Sequence, residues 1–279
     1  MDRLERALQK AREMRKLIGS GVEPTAPVEV AGNRSAARLA AVANTDTSEG
    51  QRSVNVAVSE SILERNRIVA RLTRNASADV FRVLRTKVLF AMAQSNMRTI
   101  AVTSANYGDG KSTIAANLAL SMALDAKQTV LLADLDIRSP SVHEYLGLDT
   151  DIGLTDYFVN DMPVPKCLVK PPFERLVVLP ITKPMDNSSE ILGSPKMAQL
   201  ANELKSRYAD RLVIYDMPPL LSQDDTLAFL PHVDGVVLVV RDGVTPTEDV
   251  EHCLHALGNS NLIGTVLNNS NETRFNDKS

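Results

Sequence analysis

From residue 98 onward the chain alternates short apolar runs with stretches of helical spacing, and this alternation admits few folds. TIAVTS (99–104) precedes a helical pattern over 111–124, and TVLLADLD (129–136) follows. RLVVLPI (175–181) comes before a helix around 194–208, and RLVIYDMPP (211–219) comes after it. GVVLVVR (235–241), a helix over 246–257 and LIGTVLN (262–268) complete the series. Apolar runs of this length, bounded by turns, suit strands buried on both faces of a parallel sheet. Their alternation with helices predicts a three-layer α/β domain around a mostly parallel central sheet.

The chain before residue 98 reads differently. Residues 2–18 (DRLERALQKAREMRKLI) predict an amphipathic helix, with Leu4, Ala7, Leu8, Ala11, Met14, Leu17 and Ile18 at three/four spacing. Its other face is mostly Arg and Lys, which suits a docking or self-packing helix and leaves membrane-surface contact open. Residues 19–58, without sustained period over the Ala-, Ser-, Thr-, Val-, Gly- and Pro-rich stretch to 54, are read as a flexible linker. The α/β domain is expected over 59–270, with a polar tail at 271–279. SESILERNRIVARL (59–72) predicts one helix and SADVFRVLRTKVLFAMA (77–93) a stronger one, with Ser77 as cap and Asp79 in the first turn.

Composition removes several classes of function. Net charge is −3 with a pI near 5.9, so no global basic field points to nucleic acid, and none is expected as partner. The two cysteines, Cys167 and Cys253, form no CxxC and no His/Cys cluster, which fits a reducing compartment without structural zinc. The charged N-terminus has no signal-peptide apolar core, and no apolar run reaches the about eighteen residues of a membrane helix. The protein is therefore expected in the cytoplasm.

The chemistry is concentrated in VTSANYGDGKSTIAANLA (102–119). Gly108 and Gly110 remove Cβ atoms where a chain must wrap an anion, at the positive end of a helix. Lys111 supplies a point charge for β/γ-phosphate oxygens and Ser112 a hydroxyl for Mg²⁺. The pattern is A-x4-G-K-S, with Ala105 where the usual phosphate loop has glycine. Two later runs end in acids: Asp134 and Asp136 in ADLD, and Asp216 in LVIYDMPP. Ends of parallel strands face the ligand crevice, so three carboxylates are expected near one phosphate site, suited to holding Mg²⁺ and orienting a nucleophile.

Together these segments resemble the bacterial tyrosine kinases of the P-loop type (BY-kinases) that act in capsule and exopolysaccharide production. ANYGDGKST resembles their Walker A, in which the Ala105 variant is expected. VLLADLDIRSP resembles Walker A′, with Asp134, Asp136 and Arg138, and LVIYDMPP resembles Walker B, with Asp216. Asp79, Arg82 and Arg85 resemble the Glu-x-x-Arg-x-x-Arg element through which members form rings, with Asp for Glu. VDGVVLVVRDGVT and GTVLN also match, and the resemblance covers about residues 77–270.

The resemblance implies that Asn106, Tyr107, Gly108, Asp109, Gly110, Lys111, Ser112 and Thr113 hold ATP phosphates, with Asn268 near the adenine. It implies Mg²⁺ on Ser112 and Asp216 with help from Asp134, catalytic parts for Lys111, Asp134 and Asp136, and Asp136 as the acid nearest the incoming hydroxyl. It further implies a stand-alone cytoplasmic form, a homo-oligomeric ring, and a membrane polysaccharide co-polymerase as partner at the inner membrane face. Residues 2–18 are a candidate for that contact.

The chain departs from the family at its tail, NNSNETRFNDKS, which has no tyrosine. The five tyrosines are Tyr107, Tyr145, Tyr157, Tyr208 and Tyr215, so tail autophosphorylation is excluded. Tyr215 is expected in the core, and Tyr145 and Tyr157 are either acceptors or packing residues. Three readings stand: a tyrosine kinase, a regulatory ATPase switch of the same complex, and a partitioning ATPase. The last resembles KGGxGK[ST], whose early lysine is missing from Ala105-Asn106-Tyr107. His252 and His255 are read as surface residues, His143 as making a structural hydrogen bond, and Asp225, after Asp224, as a cap.

Overall fold

The computed structural model describes residues 54–270, apart from 125–127, 208–210 and 223. The expected helix at 2–18, the linker up to residue 53, Tyr208 and the tail at 271–279 lie outside the described residues. The described strands are β1 (Val54–Asn55), β2 (Thr99–Ser104), β3 (Thr129–Asp134), β4 (Val169–Lys170), β5 (Leu176–Leu179), β6 (Arg211–Asp216), β7 (Gly235–Arg241) and β8 (Leu262–Asn268). The helices are α1 (Glu60–Arg65), α2 (Ala76–Gln94), α3 (Lys111–Ala123), α4 (Val142–Leu146), α5 (Leu154–Val159), α6 (Val164–Cys167), α7 (Ser188–Leu192), α8 (Pro195–Ser206), α9 (Asp225–Phe229) and α10 (Thr247–Leu257).

The strands form one sheet in the order β1-β4-β5-β3-β6-β2-β7-β8. Every pairing is parallel except β4 with β5. Alternation along each strand sends side chains to two separate cores. Ile100 and Val102, Val130 and Leu132, and Leu212 and Ile214 pack on the face covered by α3, against Ile114, Ala115 and Leu118. Ala101, Leu131, Ala133, Val213 and Tyr215 face the other layer, with Met197 and Leu200 of α8 and Phe229. Each buried Val, Leu or Ile side chain is worth about 1.5–3 kcal/mol, so two-sided burial of β2, β3 and β6 makes them the stable centre of the domain.

The structure moves several sequence boundaries, each for an identifiable reason. Val54 and Asn55, read as linker, pair in parallel with Val169 and Lys170 at the sheet edge. The helix expected over 59–72 stops at Arg65. Buried Asn117 of α3 accepts the amides of Val69 and Ala70 at 2.8 and 3.0 Å and donates to the Arg67 carbonyl at 3.0 Å. A distant side chain thus claims backbone groups that a helix would use. Ser77 does not cap α2: the helix starts one residue before it, and Asn75 Oδ1 accepts the Ala78 amide at 3.1 Å. The run 211–219 ends as a strand at Asp216, before Pro218 and Pro219, which have no N–H to donate.

Asp234 fastens the start of the central strands. Its Oδ2 accepts the amides of Arg98 and Thr99 at 2.9 and 3.0 Å, and Oδ1 pairs with Lys205 Nζ at 2.6 Å. Burial works against the charge, but Lys205 and the two amides prevail and hold the carboxyl below its ordinary value. Lys205, in a partly exposed pair that solvent screens, and the two amides share the effect. Asp234→Ala leaves both amides unpaired and is expected to cost about 1–3 kcal/mol at neutral pH. A depressed folded-state pKa stabilises above the unfolded value of about 3.9 and ceases to do so as pH falls through the folded value. The gap in urea midpoint between wild type and variant should therefore be widest at neutral pH and narrow toward pH 3.

Candidate nucleotide site

Sheet register builds the site. Val102 pairs with Asp216, and Asp216 pairs with Asp134. In-register neighbours point to the same face, and Asp134 and Asp216 share the parity of Leu132 and Ile214, which pack against α3. Two carboxylates therefore stand side by side, fully buried, facing the start of α3. The loop between β2 and α3 passes over them. Gly108 and Gly110 hold φ of +85° and +96°, a region that side chains disfavour, and a Cβ on Gly110 would meet Asn268 Nδ2 at 2.1 Å. Ala105 is not among the left-handed residues and its methyl is buried in the core, so that position does not need glycine.

Lys111 is the charge at the centre. Its Nζ lies 2.8 Å from Asp136 Oδ2 and 3.9 Å from Asp216 Oδ1, and donates to Ser112 Oγ at 3.2 Å. Burial disfavours the ammonium, but Asp216 and Asp136 more than overcome that, and the pKa stands above the ordinary lysine range. Burial pushes the Asp216 carboxyl up, against the pull of Lys111 and Ser112. Burial and the charge of Asp216 likewise push Asp134 up. Neither Asp216 oxygen has a well-formed hydrogen bond.

The acids thus divide their work. Asp134 Oδ1 accepts the Asp136 amide at 3.1 Å, and Oδ2 accepts those of Ser141 and Val142 at 3.0 Å each. These bonds turn the chain after β3, which is why the run 129–136 ends as a strand at 134, and they give Asp134 a holding part at its backbone neighbours. Asp216, buried and without a hydrogen-bond partner, fits a cation beside Ser112 Oγ. A single buried carboxylate beside a hydroxyl suits Mg²⁺, which keeps waters and takes one or two carboxylates together with substrate phosphates.

The back of the loop is tied by Asn268, already singled out, and by Thr245, Asp249 and Arg241, which were not. Buried Asp109 accepts the Asn106 amide at 2.9 Å through Oδ2 and Thr245 Oγ1 at 2.9 Å through Oδ1. Asn106 Nδ2 donates to Asp249 at 2.6 Å, and Arg241 Nη1 to the Gly108 carbonyl at 3.3 Å. Asn268 lies against the loop and donates Nδ2 to the Asp109 carbonyl at 2.8 Å. The Asp109 side chain therefore shapes the loop from behind. Thr245 closes the segment VDGVVLVVRDGVT and Asp249 stands in no motif, and only tertiary packing brings both side chains to the loop. Tyr107 is half exposed on it, and Thr113 follows Ser112 on α3.

The remaining candidates fall elsewhere. Arg82 pairs with Asp79 and donates to the Leu72 carbonyl at 2.9 Å, while Arg85 donates to the Ser121 carbonyl at 3.0 Å. All three thus have partners within the chain, away from the loop. Tyr145 is half buried in the α3-side core, and the Tyr157 hydroxyl donates to the Lys196 carbonyl at 3.2 Å. Both are packing residues in this structure. Tyr215 is buried edge-on against Phe229 as expected, and His252 and His255 are exposed. His143 does not make the expected hydrogen bond: its Nδ1 is buried without a partner. Asp225 does not cap α9; with Asp224 it receives the Ser189 hydroxyl.

The family model described as ParA, a NUBPL iron-transfer P-loop NTPase, matches residues 95–274. Tyrosine-protein kinase YwqD of Bacillus subtilis (strain 168) is 34% identical over 210 residues, covering 75% of this chain and 87% of YwqD. Succinoglycan biosynthesis transport protein ExoP of Rhizobium meliloti (strain 1021) is 34% identical over 208 residues, which is 73% of this chain and 26% of ExoP, so the chain spans about a quarter of that longer protein. The crystal structure of the chimerical protein CapA2B2 matches with a TM-score of 0.67 and 29% identity, over 77% of this chain and 93% of that one. No described helix is long and apolar enough to cross a membrane. The model match takes in the phosphate loop and both acidic strand ends, and with the YwqD identity it shows that the chain belongs to the bacterial tyrosine-protein kinase family, within the ParA-like P-loop NTPases.

Proposed function

We propose that this protein is an ATP- and Mg²⁺-dependent protein tyrosine kinase that regulates exopolysaccharide or capsule synthesis together with a membrane co-polymerase. The observation that carries the reading is the buried cluster of Lys111, Asp136 and Asp216 under a glycine loop at the start of a helix. The names of YwqD and ExoP support the kinase and polysaccharide parts respectively. On this reading the amides of 106–113 and Lys111 hold the phosphates, and Ser112 and Asp216 hold Mg²⁺, which supplies charge neutralisation. Asn268 borders the adenine.

Lys111 and Asp136 then work as a pair. The ammonium neutralises Asp136 at 2.8 Å. When phosphate draws the ammonium away, the Asp136 carboxylate is released to accept the proton of a tyrosine hydroxyl. The phenol oxygen bonds to the γ-phosphorus, the bond from that phosphorus to the bridging oxygen breaks, and ADP leaves. Asp134 contributes by fixing the backbone on which Asp136 sits. Positioning and charge neutralisation supply most of the rate.

The acceptor on this reading is a tyrosine outside the segment 271–279 or one on a partner protein; Tyr145 and Tyr157 are packed, and Tyr107 is half exposed on the loop. The same facts favour a second reading, an ATP-driven assembly switch with little phosphotransfer. Both place the protein in the cytoplasm at the inner membrane face, in a ring assembled through the helix that carries Asp79, Arg82 and Arg85. A partitioning ATPase fits less well, because the loop lacks the early lysine.

Lys111→Met is expected to abolish ATP turnover and to lower the melting temperature without unfolding the domain, because Asp136 and Asp216 lose their cation, checked by phosphate release and calorimetry. Unchanged hydrolysis would sink the phosphate-loop assignment. With γ-labelled ATP and the cytoplasmic segment of the co-polymerase, labelled tyrosine that disappears in Lys111→Met supports the kinase. Phosphate release without labelled tyrosine supports the switch. Arg82→Ala combined with Arg85→Ala is expected to reduce particle mass by light scattering, and an unaltered mass would remove the ring.

A further inference from the structure

Ser141 stands at the position that begins α4, where a serine hydroxyl ordinarily accepts a backbone amide of the first turn. It makes no such bond here. Asp134 serves the helix start instead, its Oδ2 accepting both the Ser141 and Val142 amides. The Ser141 hydroxyl is thereby freed, and it donates to Ser112 Oγ at 3.0 Å. Ser112 Oγ also accepts from Lys111 Nζ at 3.2 Å. A serine oxygen has two lone pairs, and both are engaged in this arrangement.

A serine at the start of a helix has three staggered rotamers and competing backbone partners. Its hydroxyl points toward a cation only if a neighbour fixes it there. We propose that Ser141 is a positioning residue for the Ser112 hydroxyl, holding its rotamer so that the lone pair given up by Lys111 is presented to Mg²⁺. The inference rests on the reading of the loop as a Mg·ATP site, which the buried oxygens of Asp216 beside Ser112, without a well-formed hydrogen bond, fit. It adds a consequence. Ser112 is joined through Ser141 and its amide to Asp134, and Asp134 also accepts the Asp136 amide. One chain of hydrogen bonds therefore runs from the cation hydroxyl to the backbone of the acid assigned to the incoming tyrosine.

The test compares wild type, Ser141→Ala and Ser141→Thr in titrations of Mg²⁺ into protein with a fluorescent ADP analogue, with parallel binding in EDTA. The alanine variant keeps the backbone amides on Asp134, so α4 retains its start. Outer-shell partners of metal ligands typically control affinity by 10–100-fold, and Ser141→Ala is expected to raise the Mg²⁺ half-point by about tenfold. Affinity in EDTA should not move, and Ser141→Thr, which keeps the hydroxyl, should return the half-point toward wild type. An unchanged half-point in Ser141→Ala beside a Mg²⁺-responsive wild type overturns the proposal alone. So does an equal loss in EDTA, which marks a general effect on the loop. A wild type whose nucleotide binding ignores Mg²⁺ overturns the Mg·ATP reading and this inference together.

Discussion

The parallel register that seats β6 between β2 and β3 is the constraint on which the site depends. It sets Asp134 and Asp216 side by side, on one face, at the end of the sheet where the phosphate loop crosses. Two buried carboxylates repel each other, and an unpaired charge in the interior is opposed by several kcal/mol of lost hydration. The fold answers with backbone amides for Asp134 and with Lys111 for Asp136 and Asp216. The lysine is thus structural as well as chemical: it balances acids that would otherwise be uncompensated.

The loop itself is held from behind. Asp109, Asn106, Gly108 and Gly110 are tied or packed to Thr245, Asp249, Arg241 and Asn268, which come from the turn after β7, the start of α10 and the end of β8. Backbone amides that must face an anion need such support, because left-handed glycines are otherwise free to take other conformations. Events at the start of α10 therefore have a direct physical route to the phosphate loop.

Much was legible in the chain. The strands 99–104, 235–241 and 262–268 stand where the apolar runs placed them. Lys111 and Asp216 were legible because a glycine loop and an apolar run ending in an acid are local patterns. Misreadings came where a side chain claimed backbone groups against the expected pattern. Asn117 shortened the helix at 59–72, and the Asn75 side chain displaced Ser77 as cap. Asp134, read for the metal, also accepts three amides of its own following segment. Arg82 and Arg85, proposed for a contact between subunits, also donate to carbonyls of their own chain, which no local pattern announces.

The sequence by itself determined the layered α/β architecture and the identity of the phosphate-binding segment, because apolar period, glycine spacing and terminal acids are properties of contiguous residues. Only the tertiary structure decided which acid accepts backbone amides and which has no well-formed hydrogen bond, why Ala105 serves without glycine, and that Thr245, Asp249 and Ser141 lie against the loop and its serine. Those are matters of register and of hydrogen bonds between residues far apart in the chain, and a hydrogen bond leaves no mark on the spacing of the residues it joins.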